Sequence, residues 1–168
     1  MNLNKNIYLG LGSNIEEKIA NIKSANNKIA SIENTVIEKY SSFYETEPRE
    51  FAEQENFINA VVKIKSSLKP EELFIKLKNI ENELGRIPTF KYGPRIIDID
   101  ILLFGDEIIE TQILSIPHKK IVFRKFVLIP LAEIDSNLII PGIEKNILQV
   151  LEICSDSGYV KKLEEVII

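Results

Sequence analysis

The sequence predicts an α+β fold: an antiparallel sheet with helices on one face, in the split β-α-β pattern of ferredoxin-like domains, plus C-terminal additions. Three observations predict it. Runs 7–11, 35–46, 57–65 and 96–104 are apolar or rich in β-branched and aromatic residues, and read as strands. Two other runs carry apolar residues at helical spacing. The order strand, helix, strand, strand, helix, strand matches the split repeat, with a doubly wound parallel sheet as second choice.

Residues 7–11 read as a buried first strand, which Gly12-Ser13-Asn14 should break. Ser13 with Glu16, or Asn14 with Glu17, offers a capping box for the first helix. Ile15, Ile19, Ile22, Asn26 and Ile29 lie along one side of that helix. A polar, acidic connection, 45–56, joins the next two strands; it exceeds a hairpin turn and suits a functional lid. Pro70 starts the second helix, Leu73, Leu77, Ile80 and Leu84 share its apolar face, and Gly85 stops it. A second irregular loop spans 86–94. Beyond the strongest strand, 96–104, come a short strand near 107–110, a basic loop 117–125 and a helix around 146–154.

The 168 residues suit one domain, 1–168, with a real core. Hydrophobic residues at 45% and charged ones at 27% exclude a disordered chain. A net charge of −4 argues against a general nucleic-acid binder, because neutralising phosphates needs a basic surface. Cys154 is the only cysteine, so no internal disulfide forms, and its setting suits a small core residue. No run approaches the ~20 apolar residues that span a bilayer. The early apolar run is too short for a secretion signal, so the cytoplasm is expected. No obligate protein partner is evident.

Asp98 and Asp100 sit two apart in a strand, on one face, with Cα atoms roughly 6–7 Å apart. Ile97, Ile99 and Ile101 take the other face. Paired carboxylates repel, and a divalent cation relieves that repulsion; magnesium favours one or two carboxylates plus phosphate oxygens and water. Arg86, Lys91 and Arg95 crowd the loop before them, so cations and carboxylates together could grip a polyphosphate. By itself the acidic face reads more readily as the polar face of a half-exposed strand, and the cations as its salt-bridge partners. A second basic segment runs through His118, Lys119, Lys120, Arg124 and Lys125; alone it reads as a solvated charge run, with His118 the single histidine. Gly10-Leu11-Gly12 fails both phosphate-loop tests: Ile15 stands where a dinucleotide fingerprint needs glycine, and no Gly-Lys-Ser/Thr run exists. A tight strand-to-helix turn is the better reading of those glycines.

In combination these segments resemble a known family. The carriers are Tyr8-Leu9-Gly10-Leu11-Gly12-Ser13-Asn14; Phe43-Tyr44-Glu45-Thr46-Glu47-Pro48 with Phe57-Ile58-Asn59-Ala60-Val61; and Leu84-Gly85-Arg86 with Tyr92-Gly93-Pro94-Arg95-Ile96-Ile97-Asp98-Ile99-Asp100-Ile101-Leu102. Pro117-His118, Arg124-Lys125-Phe126-Val127-Leu128 and Pro130-Leu131 complete the order. The family is 6-hydroxymethyl-7,8-dihydropterin pyrophosphokinase, of the folate pathway, and the likeness covers roughly 7–134. It implies diphosphate transfer from ATP, as co-substrate, to the pterin hydroxymethyl oxygen, with release of AMP. It also implies two Mg2+ ions held by Asp98 and Asp100. By resemblance, Arg86 and Arg95 grip ATP phosphates and stabilise the transferring group, with Asp98 assisting removal of the hydroxyl proton. Lys91, Tyr92, Ser115, His118 and Arg124 line the nucleotide side, and Thr46, Phe57, Asn59 and Phe126 form the pterin slot.

The chain departs from the family pattern in places. Pro88 stands where arginine is common, Lys91 and Tyr92 replace a frequent arginine and tryptophan, and Arg49-Glu50 stands where an apolar residue and glycine are usual. Altered nucleotide affinity, not lost activity, is the expectation. Two rivals are weighed. A nucleotidyltransferase would carry its Gly-Ser shortly before the aspartates and would release diphosphate; Ser13 and Asp98 are far apart. A non-catalytic binding domain has no need of paired aspartates beside arginines.

Overall fold

In the computed structural model, which describes residues 5–49, 53–90 and 93–164, the sheet is built around its first strand. β1 (Lys5–Ser13) pairs antiparallel with β4 (Phe57–Ser66) on one side and with β5 (Asp98–Phe104) on the other. β2 (Thr35–Tyr40) and β3 (Tyr44–Thr46) share the far edge of β4. Every pairing is antiparallel, so the doubly wound alternative falls and the ferredoxin-like arrangement stands.

Two helices follow the split repeat. α1 (Lys18–Ala30) buries Ile22, Ala25, Asn26 and Ile29. α2 (Pro70–Glu83) buries Leu73, Leu77 and Ile80. Both lie over the face that carries Ile7, Leu9, Leu11, Ile58, Ala60, Val62, Ile64, Ile99 and Ile101, in one apolar cluster. The alternation of these strand residues is the period-2 pattern of a pleated sheet. α2 starts on Pro70, with Glu72 accepting the Lys69 N–H at 2.9 Å, and ends at Gly85, whose φ of +90° suits a residue without a β-carbon.

The first helix departs from expectation. Neither capping box forms, because Ser13 is still in β1 and the Asn14 side chain is engaged elsewhere. Ile15 precedes the helix. The strand runs past Gly12 because Gly12 and Ser13 pair with Asn59 and Ile58 of β4, and Gly12 also with Asp98 of β5. Ladder pairing on both sides outweighs the weak strand preference of glycine. The long strand expected over 35–46 is interrupted at 41–43. There the Ser41 hydroxyl accepts the Val61 N–H at 2.8 Å, replacing a ladder bond.

The opposite face of the sheet is covered too. After the small hairpin of β6 (Ile109–Glu110) and β7 (Ser115–Ile116) comes a 3-10 turn, Ile121–Phe123. α3 (Lys125–Ile134) follows, a helix that the basic-loop reading missed. β8 (Ile139–Ile140) and β9 (Lys145–Asn146) form another hairpin, and α4 (Ile147–Ile153) follows. Val127, Leu128, Leu131, Ile147 and Val150 pack with Tyr8, Val61, Leu102 and Leu103 in a second apolar cluster, which Cys154 edges. β10 (Val160–Lys162) returns to pair with β3. The expected single helical layer is thus a layer on each face. Among the described residues, no helix is long and apolar enough to cross a membrane.

Candidate active site

α3 and α4 cover only part of their face of the sheet. Where they leave it open lies a cavity of about 540 Å³. Its floor follows from strand register. Gly10 lies between Val61 and Asp100, and Gly12 between Asn59 and Asp98. Both glycines line the cavity. A β-carbon on Gly12 would come within 2.8 Å of Asn59 Oδ1, so glycine keeps this floor open. The sequence reading of a tight turn is corrected here: these glycines clear space between two functional side chains.

Asp98 and Asp100 share this face, as their spacing predicted, while Ile99 and Ile101 enter the first core cluster. Cations surround them. Arg86 lies 2.9 Å from Asp98 Oδ1, Arg95 3.6 Å from Asp98 Oδ2, and Lys78 3.8 Å from Asp100 Oδ1. Burial, then the charge of Asp98, push the Asp100 carboxyl up to about 6, against the pull of Lys78 and Arg124. Burial alone would lower the Arg86 pKa, but Asp98 and Glu81 outweigh it and hold the guanidinium protonated. Burial and the Arg124 charge lower His118 to about 4, so its imidazole is neutral at pH 7. His118 Nδ1 accepts the Lys120 N–H at 3.2 Å, which leaves the proton on Nε2, 3.9 Å from Asp100.

The opposite side of the cavity holds the other predicted set. Asn59 Nδ2 donates to Thr46 Oγ1 at 2.7 Å, fixing the amide. Phe57 and Phe126 both line the cavity, with the Arg95 and Arg124 guanidiniums 5.3 and 5.6 Å from their ring centres. A smaller hollow of about 390 Å³ adjoins, lined by Lys78, Glu81, Arg86, Pro88 and Phe90 and sharing Arg95 with the first.

Not every expected residue gathers here. Ser115 lies on the β6–β7 hairpin, outside the cavity lining, with its hydroxyl donated to Glu110 at 2.8 Å. Lys91, Tyr92 and Glu50 fall outside the described residues.

The roles of three important side chains escaped the sequence reading. Glu81, 1% exposed, accepts the Ile99 N–H at 2.6 Å, between the two aspartates, and pairs with Arg86 and with Lys78. A glutamate buried on the apolar face of α2 was the available signal. Asn14 accepts the Arg95 N–H at 2.9 Å and donates to Gln54 Oε1 at 2.9 Å and to Glu55 O at 3.2 Å, so one amide joins both long loops. Lys78 also donates to Ile99 O at 2.9 Å.

The site fits a small hard cation. Two carboxylates stand side by side, and one is held reluctant to ionise. Among the described residues no group of three or more carboxylate, histidine or cysteine ligands forms, so a bound Mg2+ would complete its shell with phosphate oxygens and water. Arg95 Nε is buried without a hydrogen-bond partner, a donor suited to an anion.

Fold and cavity together define a class: an α+β enzyme domain with the paired carboxylates and guanidiniums of phosphoryl-group transfer. The chain belongs to the 7,8-dihydro-6-hydroxymethylpterin-pyrophosphokinase family, whose profile matches residues 8–136. It is 48% identical over 135 residues to the 2-amino-4-hydroxy-6-hydroxymethyldihydropteridine pyrophosphokinase of Aquifex aeolicus, covering 80% of this chain and 83% of that one. To the protein of the same name from Haemophilus influenzae it is 41% identical over 135 residues, covering 80% and 84%. Among solved structures it resembles Plasmodium falciparum HPPK-DHPS with pteroate, at a TM-score of 0.71 and 16% identity. That match covers 88% of this chain but only 44% of the longer one, and speaks to the fold alone.

Proposed function

We propose that this chain, as a single pyrophosphokinase domain, transfers diphosphate from ATP to the hydroxymethyl oxygen of 6-hydroxymethyl-7,8-dihydropterin. It does so with magnesium, in folate synthesis in the cytoplasm. The observation that carries the reading is the register of β1. Gly10 and Gly12 separate Asp98 and Asp100, with their arginines, from Asn59, Thr46 and Phe57. A triphosphate and a flat polar acceptor can therefore meet across an open floor.

The pterin hydroxyl oxygen attacks the β-phosphorus of ATP. The bond from that phosphorus to the oxygen bridging the α-phosphate breaks, and AMP leaves with the electron pair. On this reading Asp98 takes the hydroxyl proton. Arg86 and Arg95 align the oxygens of the transferring group and stabilise its charge, which is the main demand of phosphoryl chemistry. His118 donates from Nε2, and Arg124 adds a further cation on the nucleotide side. Asn59, with Nδ2 turned to Thr46, presents its Oδ1 as an acceptor for pterin N–H groups, while Phe57 and Phe126 contact the flat ring. Two Mg2+ ions held by Asp98 and Asp100 would neutralise the phosphates and polarise the phosphorus.

The test is product analysis with ATP, Mg2+ and the pterin. AMP formed only with all three, and abolished in Asp98→Ala, supports the reading. ADP as product, or turnover indifferent to the pterin, refutes it.

A further inference from the structure

The segment after α4 lies beyond the family-matched residues, which end at 136, yet it packs against residues that line the cavity or adjoin them. In β10, Val160 pairs opposite Thr46, and just beyond it Leu163 donates its N–H to Phe43 O at 2.9 Å. Just before β10 stands Asp156, whose side chain is 3% exposed. Its Oδ2 accepts the Lys125 N–H at 2.8 Å, at the first residue of α3, and its Oδ1 accepts the Gly158 N–H at 2.9 Å. The same carboxylate pairs with the Arg49 guanidinium. Gly158 leaves room for that guanidinium, which a β-carbon there would strike. Arg49 also reaches Glu47 Oε1 at 3.4 Å, and that oxygen accepts the Tyr159 N–H at 3.2 Å.

Glu47, Arg49 and Phe126 all line the cavity. One buried carboxylate therefore joins the base of the 45–56 loop to the start of the helix that carries Phe126. A buried carboxylate is tolerated only with several partners, and here a cation and two N–H donors supply them. Shifting any one of the three partners leaves the charge poorly compensated, so the arrangement favours a single geometry.

We propose that Asp156 is a positioning residue for the pterin half of the cavity. Through Arg49 it sets the loop edge beside Thr46 and Phe57, and through the Lys125 N–H it sets Phe126. The inference rests on reading that half as the pterin slot. Asp156 touches no reacting atom, and its cation partner, Arg49, lies on the pterin half.

The experiment uses the full chain with Asp156→Asn, Arg49→Gln and the double variant. Asparagine keeps the shape but only one acceptor oxygen, so it removes the charge facing Arg49 together with the bond from Lys125 or Gly158, whereas Arg49→Gln removes the charge pair alone. The KM for pterin should rise about tenfold in each single variant, with kcat and the KM for ATP within about twofold of wild type. The double variant should be no worse than the worse single, since both break one pair. A pterin KM unchanged in both singles overturns the inference. So does a parallel rise for both substrates that follows a fall in Tm, because it marks a general structural role. If wild type itself forms no pterin-dependent AMP, the reading of the slot fails and this inference with it; an active wild type with unaltered variants sinks the inference alone.

Discussion

Asp100→Asn should stabilise the metal-free protein while abolishing its activity. Asp100 rises from 3.8 to about 6 on folding, chiefly by burial and then by the charge of Asp98. That is about two pKa units, and at ~1.36 kcal/mol per unit it sets an upper bound of ~3 kcal/mol of destabilisation at neutral pH. The side chain keeps 34% of its exposure. Solvent screening therefore reduces the expectation to ~1–2 kcal/mol. The shift already includes the attraction of Lys78 and Arg124, which the amide also forfeits. For a chain of this size that gain is a Tm rise of roughly 3–6 °C. The sign depends on pH. A folded pKa raised above the unfolded one contributes stability that is full below 3.8 and is lost as pH rises through about 6. The advantage of Asp100→Asn is thus largest above pH 6 and vanishes near pH 4. Differential scanning fluorimetry in EDTA, from pH 4 to 8, reads it directly. A variant no more stable than wild type at pH 7.5, or a difference independent of pH, would refute the argument. Adding Mg2+ with a non-hydrolysable ATP analogue should reverse the order, because only wild type retains both carboxylates.

Glu81→Gln strips the negative charge from between Arg86 and Lys78, both of which keep some solvent; urea titration should show a loss of ~2–3 kcal/mol, with kcat falling more than either KM changes. Gly12→Ala pushes a methyl group into Asn59, which Thr46 holds in place, so pterin affinity should drop by at least about tenfold for a stability loss of only ~1–3 kcal/mol, measured by calorimetry and thermal melting. Asn14→Ala removes the amide shared by the two long loops; it should cost ~1–3 kcal/mol and speed hydrogen exchange in 53–56 and 93–95 together. Faster exchange in one of these segments only would show that Asn14 does not couple them.

Local patterns carried much of the fold. Pro70, Glu72 and Gly85 bound α2, and the alternation from Asp98 to Ile101 fixed both the strand and the face of its carboxylates. The resemblance brought Asn59, Thr46 and Phe57 into the site; the register of β1 with β4 puts Asn59 across Gly12 from Asp98, and that of β3 with β4 puts Thr46 opposite Phe57. The missed helix has a local reason: α3 opens on a run of cations that reads as a basic loop, and it holds Pro130, which lacks the N–H a helix interior needs. Its stability comes from burying Val127, Leu128 and Leu131 on the sheet.

By itself, the sequence determined the strand and helix order of the split repeat up to residue 104, the paired carboxylates with their arginines, and the family. These depend on period, punctuation and motif, which are properties of neighbours along the chain. The tertiary structure alone decided that the first strand runs on through Gly12, that Glu81 holds Arg86, that Asn14 joins two loops, and that Asp156 ties Arg49 to the start of α3. Except for Glu81 with Arg86, five residues apart, each of these is a contact between segments far apart in sequence. Its free energy comes from desolvation and pairing that exist only once the sheet has assembled.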